Sequence, residues 1–167
     1  MAEPKYLSAA RVWVGVAETS GAKSNPKIKD MWCSLPGGTW FWENFGCDDS
    51  KLPWCGAFVA RILKSDGVVI PINYARAMAW AGFGVQSSVQ ALGSVVVLKR
   101  DGGGHVGFVT GINTAQTMVR VLGANQDDAV NERWFSVDRI AAVRQPAGMK
   151  LALAPVAYVG EFSKSEV

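Results

Sequence analysis

The chain has 167 residues, a length typical of one domain built on a single hydrophobic core. Its 49% apolar content and 18 glycines are typical of a globular protein and exclude a collagen, a coiled coil or a disordered chain. The net charge of +3 comes without a run of five like charges, so no nucleic-acid-binding surface is predicted.

Neither a membrane span nor a signal peptide is predicted. No apolar run reaches the ~18 residues that a membrane-crossing helix needs. The first residues lack the basic start and apolar core of a secretory signal. We therefore expect a single domain over residues 1–167, with no further module and no stable membrane insertion, made and kept soluble in a cytoplasm.

The first predicted helix covers residues 6–18, where apolar side chains from Leu7 to Ala17 recur at helical spacing. Ser20-Gly21 supplies its stop. Residues 22–50 contain several turn signals and are predicted to be irregular.

The irregular segment carries an aromatic cluster that argues against disorder: Trp32, Trp40, Phe41, Trp42 and Phe45. These rings either cap the core, or Trp40 and Trp42 edge a groove in which sugar rings or a peptide lie. The sequence leaves both interpretations open.

The most informative stretch is residues 52–64, in which a proline and a tryptophan lead into Cys55 and then into a helical pattern of apolar residues, Phe58, Val59, Ile62 and Leu63. Cys55 is therefore predicted at a helix N-terminus or one residue before it. Unpaired backbone N–H groups there favour the thiolate, so a lowered pKa and a reactive thiol are expected. The alternative is a small apolar residue that packs at the helix end.

The second half of the chain is predicted to begin with a helix over residues 74–82 and to continue as strands. The strands are expected at residues 94–98, 105–112, 118–122 and 140–143. Helices that precede an antiparallel sheet indicate an α+β fold. The segment beyond Gly148 remains unassigned.

His105, the single histidine of the sequence, follows three glycines and enters a predicted strand. By itself such a residue is usually structural. The glycines, however, allow another group to approach the backbone closely, and an imidazole with open space before it suits a general base near neutral pH.

Asn125 follows the strand predicted to pair with that of His105, so its side chain is expected to accept a hydrogen bond from the second ring nitrogen of the imidazole. Asp127 competes for this role. Asn125 is otherwise a turn residue after Gly123.

Three blocks resemble a phage-associated branch of the CHAP and NlpC/P60 peptidoglycan hydrolases: Pro-Trp-Cys-Gly-Ala-Phe-Val at 53–59, Gly-His-Val-Gly-Phe-Val at 104–109 and Leu-Gly-Ala-Asn-Gln-Asp-Asp-Ala-Val-Asn at 122–131. The resemblance is strongest over residues 7–146. It implies a papain-like fold and a thiol enzyme that cleaves an amide bond of the cell wall. The sequence departs from this branch at Gly93-Ser94, at Gly123-Ala124 and in an apparent insertion over residues 37–47.

By this resemblance, Cys55 is the nucleophile, His105 the base and Asn125 the orienting residue. Residues expected to contact the substrate are Trp40, Trp42, Trp54, Gly104 and Gln126. No metal or other cofactor is expected, because Asp48 and Asp49 are adjacent rather than spaced as in calcium-binding relatives.

The function that we expect is that of a phage endolysin, a monomeric cysteine amidase or endopeptidase that acts on peptidoglycan. It would be made in the host cytoplasm and would reach the wall after a separate holin permeabilises the membrane. A wall-binding or virion structural module without chemistry and a secreted antibacterial amidase toxin are the alternatives. A zinc site is disfavoured, since spacings of 14, 8 and 50 residues between the cysteines and the histidine form no tight ligand pair.

Three cysteines, Cys33, Cys47 and Cys55, make an odd set, so at least one thiol must be free if the other two pair. In a reducing compartment we expect all three as thiols.

Overall fold

The computed structural model describes residues 3–19, 24–87 and 90–156. Within them the helices precede a six-stranded sheet, which confirms the predicted α+β class. The stop predicted at Ser20-Gly21 and the end of the C-terminal segment, residues 157–167, lie outside the described residues.

The helices are α1 (Lys5–Arg11), α2 (Pro26–Cys33), α3 (Gly38–Asn44) and α4 (Cys55–Ser65). The first is shorter than predicted, because the chain leaves the helix after Arg11 and turns at Gly15, where φ is +91°.

The prediction of an irregular segment over residues 22–50 was wrong, since α2 and α3 lie within it. Its turn signals are in fact helix boundaries. Pro26 occupies the first turn of α2, and the Asn25 side chain caps that helix by accepting a hydrogen bond from the Lys27 N–H. Gly37, with φ of +68°, precedes α3.

The helix predicted over residues 74–82 is present only as a 3-10 helix, Ala77–Gly82. The sheet consists of β1 (Val85–Gln86), β2 (Val95–Arg100), β3 (Gly103–Ile112), β4 (Met118–Gln126), β5 (Ala129–Ser136) and β6 (Ile140–Gln145). Its strand order is β1-β6-β2-β3-β4-β5, and neighbouring strands are antiparallel. Strand β5 was not predicted, because the polar run Asn131-Glu132-Arg133 interrupts its apolar residues.

The main core lies between the helices and the sheet. Phe58 of α4 meets Phe108 of β3 with ring centroids 6.3 Å apart, and Tyr6 of α1 meets the same ring at 5.6 Å. Both phenylalanines are fully buried. This packing fixes α4 against the centre of the sheet and brings its first turn to β3.

Candidate active site

Cys55 is the first residue of α4, as the sequence predicted. The following glycine is required by packing: a Cβ on Gly56 would lie 2.2 Å from the Tyr74 carbonyl oxygen, closer than real atoms approach. The segment around Tyr74 therefore crosses directly over the start of α4. Cys55 itself is buried, with only 6% of its surface exposed.

The backbone N–H of Val106 faces the Cys55 sulfur and acts to lower the pKa of its thiol. Val106 directly follows His105 on β3, so this contact ties the start of α4 to the strand that carries the histidine. The structure thus brings the predicted nucleophile to the backbone beside the predicted base.

His105 is buried, with 4% of its surface exposed, and its ring centroid lies 5.8 Å from that of Phe135. Its Nε2 atom lies 2.9 Å from Oε1 of Gln126. An amide oxygen only accepts hydrogen bonds, so Nε2 carries the ring hydrogen and Nδ1 carries the lone pair. Nδ1 is therefore the atom that can take a proton.

The hydrogen bond predicted for Asn125 is made by Gln126, and the prediction for Asn125 was wrong in this respect. The pairing of Phe108 with Leu122, continued along both strands, sets Asn125 opposite His105. The chain bulges there: Asn125 has a left-handed φ of +58°, and the pairing of β4 with β5 shifts register before Gln126. The extra residue carries Gln126 to the imidazole.

Asp127, the predicted competitor, forms an ion pair with Arg133. Gln126 was predicted only as a substrate contact, and it is fully buried. Gly123, three residues before Gln126, was a sequence signal for the orienting role of Gln126. A Cβ on Gly123 would lie 2.8 Å from Gln126 Oε1 and 3.0 Å from His105 Nε2. The absence of a side chain at Gly123 leaves room for the two side chains to meet.

Burial controls the charges of both reactive groups. It lowers the pKa of His105 to about 4, although the Gln126 hydrogen bond acts in the opposite direction, and the nearby Arg100 and Arg139 lower it further. Burial also raises the pKa of the Cys55 thiol, and this outweighs the N–H groups of Val106 and Gly56. The lowered thiol pKa predicted from the helix N-terminus was therefore wrong, and at neutral pH both groups are uncharged.

The residues predicted to contact substrate have different environments. Trp54 is fully buried and its indole N–H donates to Glu18 at 2.8 Å, so it packs in the core. Trp40 is 60% exposed and stacks edge-on against Phe41. Gly104 lies under Met78, whose sulfur would be 2.7 Å from an added Cβ. The open space predicted before His105 is therefore partly filled by Met78.

Trp42 is 3% exposed and lines a groove of about 460 Å³ between α2 and α3. The other lining residues include Lys29, Glu43 and the two exposed cysteines, Cys33 and Cys47. All three cysteines are free thiols, as expected. The aromatic cluster was predicted either to cap the core or to edge a groove. Trp42 does both, because it packs in the core and also lines the groove.

Asp49 is fully buried and joins the segment before Cys55 to the start of α2, where its Oδ2 accepts a hydrogen bond from the Asn25 N–H at 2.7 Å.

Across residues 3–19, 24–87 and 90–156, no three His, Cys, Asp or Glu side chains are grouped so as to hold a metal ion. None of the helices in those ranges has the length and apolar character to cross a membrane.

Residues 47–125 match the family model of the CHAP domain. The match includes Cys55 and His105 and ends one residue before Gln126. It supports the CHAP family, and a CHAP domain implies activity of the peptidoglycan hydrolase or amidase kind. No curated protein matches the chain.

Proposed function

We propose that this protein is a cysteine amidase or endopeptidase that cleaves an amide bond in bacterial peptidoglycan, with Cys55 as nucleophile, His105 as general base and Gln126 as the residue that orients the imidazole. The observation that carries the proposal is the hydrogen bond of 2.9 Å between His105 Nε2 and Gln126 Oε1, on the strand whose next residue, Val106, has its N–H beside the Cys55 thiol. Nucleophile, base and orienting group are the three parts of a thiol hydrolase.

In the first step the Cys55 sulfur attacks the carbonyl carbon of the scissile amide as its proton passes to His105 Nδ1. Because both groups start uncharged, proton transfer accompanies attack and a stable ion pair is not required beforehand. The negative charge that develops on the carbonyl oxygen meets the first N–H groups of α4, which have no acceptor within the helix.

The imidazolium then gives its proton to the leaving amine, and the C–N bond breaks to leave a thioester on Cys55. A water molecule, deprotonated by His105 Nδ1, attacks the thioester, releases the carboxylic acid and restores the thiol. Throughout, Nε2 stays protonated and donates its hydrogen bond to Gln126. This hydrogen bond is stronger while the imidazole ring carries a positive charge.

Digestion of purified bacterial sacculi, followed by mass spectrometry of the soluble fragments, tests this function. The wild type is expected to release fragments with one new amine and one new carboxyl group. Their masses identify the bond, either between muramic acid and L-alanine or within the peptide. Cys55→Ser should release none, whereas Cys33→Ser, at an exposed free cysteine, should match the wild type. Equal release by Cys55→Ser and the wild type would end the proposal.

We further propose that the protein is a phage endolysin, made in the host cytoplasm and admitted to the wall by a separate holin. The resemblance of its three sequence blocks to the phage-associated branch supports this biological role. Expression in a bacterium with and without a membrane-permeabilising protein tests it: lysis should require both. Lysis by the enzyme alone would favour the secreted toxin, whose site would be the same.

One observation favours a second function, a wall-binding module without chemistry. Cys55 and His105 are 6% and 4% exposed, so the two groups are largely covered. In that case the protein would sediment with sacculi and release no fragments. Binding without release, under conditions in which the protein is folded, would select this alternative.

A further inference from the structure

Asn131, on β5, surrounds the far end of the Gln126 side chain with hydrogen-bonding groups. Gln126 Nε2 donates to the Asn131 backbone oxygen at 2.8 Å and to its side-chain Oδ1 at 2.9 Å. In return, Asn131 Nδ2 donates to the Gln126 backbone oxygen at 2.7 Å. A longer contact of 3.5 Å runs from Gln126 Nε2 to the Val121 carbonyl oxygen.

These contacts distinguish the two ends of the Gln126 amide. The groups around Nε2 are oxygens that only accept, so exchanging the amide nitrogen and oxygen would set Gln126 Oε1 against two oxygens of Asn131 at hydrogen-bond distance. The exchange would also present an N–H to His105 Nε2. The imidazole would then need its hydrogen on Nδ1, the atom that must accept a proton from Cys55.

We propose that Asn131 is a positioning residue that fixes the amide orientation of Gln126 and thereby holds His105 in the tautomer protonated at Nε2. Its effect reaches the thiol through two side chains, and Asn131 itself touches neither Cys55 nor the scissile bond. The structural part of this inference concerns three side chains of the folded protein. Its catalytic consequence rests on the proposed function.

The tautomer can be measured directly, because His105 is the only histidine in the chain. In nitrogen-15 NMR spectra of a neutral imidazole, the ring nitrogen without hydrogen resonates far from the one with hydrogen. Burial lowers the pKa of His105 to about 4, so the ring is neutral at pH 7 and the assignment is unambiguous. This readout does not require that the protein be an enzyme.

The variants compared with the wild type are Asn131→Leu, which is similar in size and removes the polar atoms, and Asn131→Asp, which keeps an acceptor for Gln126 Nε2. The matched control is Asn113→Ala, since Asn113 Oδ1 accepts the N–H groups of Thr117 and Met118 at the opposite end of the β3–β4 hairpin. Circular dichroism shows that each variant is folded.

The wild type, Asn131→Asp and Asn113→Ala are expected to show the Nε2-protonated tautomer alone. Asn131→Leu is expected to add a population protonated at Nδ1 and to lower turnover on sacculi roughly tenfold. A wild type protonated at Nδ1, or an Asn131→Leu protein with an unchanged tautomer, would overturn the inference. If Asn131→Leu does not fold, Asn131→Ala replaces it with the same expected spectrum. Failure of the proposed function is separate, since the wild type would then release no fragments whatever its tautomer.

Discussion

Replacing Gly123 by alanine tests whether the contact between His105 and Gln126 governs activity. The added methyl group would lie 2.8 Å from Gln126 Oε1 and 3.0 Å from His105 Nε2. Ordinary contacts of a Cβ begin at 3.4 Å, so the two atoms must move by 0.6 Å (3.4 − 2.8) and 0.4 Å (3.4 − 3.0). Neither side chain has free space, because Gln126 is fully buried and His105 is 4% exposed.

A displacement of this size at a catalytic base is expected to lower turnover roughly 100-fold, since a misplacement of about 1 Å can cost that much. The free energy of unfolding should fall by about 1–3 kcal/mol, the usual cost of overpacking a filled core. Turnover should therefore fall far more than the folded fraction does, because the protein remains folded at the assay temperature.

The assay is the rate of fragment release from sacculi at equal concentrations of folded enzyme, with a thermal melt of each variant. Gly82→Ala is the matched control, because an added Cβ there has no atom within 4 Å. A Gly123→Ala enzyme with wild-type turnover would refute the view that the His105–Gln126 geometry limits the rate.

Iodoacetamide at pH 7 should label the two exposed cysteines before Cys55, because burial covers that thiol and raises its pKa; faster labelling of Cys55 in peptide maps would contradict this electrostatic account. Gln126→Leu should lower turnover roughly 10- to 1000-fold, because the imidazole loses its orienting hydrogen bond. Asn125→Gly and Asp127→Asn should change turnover little, because glycine and asparagine both tolerate the left-handed backbone at these positions. A large loss in Asn125→Gly beside a healthy Gln126→Leu enzyme would restore the assignment made from the sequence. The unfolding free energy from urea melts should decrease as the pH falls from about 6.5 towards about 4, by at most about 3 kcal/mol, because the unfolded chain protonates His105 first. This decrease should be smaller in His105→Gln, and an equal decrease in that variant would assign it to other groups.

The sequence predicted the elements whose patterns are local. The apolar spacing after Cys55 identified α4 and its first residue, and the runs of branched residues identified four of the strands. These signals succeed because a buried helix face or a buried strand imposes a period on the residues themselves.

The predictions failed where the structure depends on contacts between distant segments. The helices α2 and α3 are short and are bounded by proline and glycine. These turn-forming residues were a stronger signal than the spacing of the apolar residues within each helix, so a loop was predicted. Strand β5 alternates only in part, because several of its side chains serve ion pairs and the Asn131 network.

Within the site, Cys55 and His105 could be chosen from residue type and setting, but the third residue could not. A bulge of one residue decides whether Asn125 or Gln126 reaches the imidazole. Asn125 has a left-handed φ in this bulge, but an asparagine in a sequence does not by itself reveal that a bulge is present. The thiol pKa was mispredicted for a similar reason: a helix N-terminus is a local feature of the sequence, whereas the burial of the thiol depends on how distant segments pack.

Acid-quench trapping is the most direct test of whether Cys55 forms the covalent intermediate. Wild-type enzyme is mixed with an excess of soluble peptidoglycan fragments, quenched within a turnover, digested and examined by mass spectrometry. We expect a thioester adduct, with the mass of the acyl part of the substrate, on the peptide that contains Cys55 and on no other cysteine peptide. Fragment release without that adduct, and undiminished in Cys55→Ser, would contradict this role of Cys55.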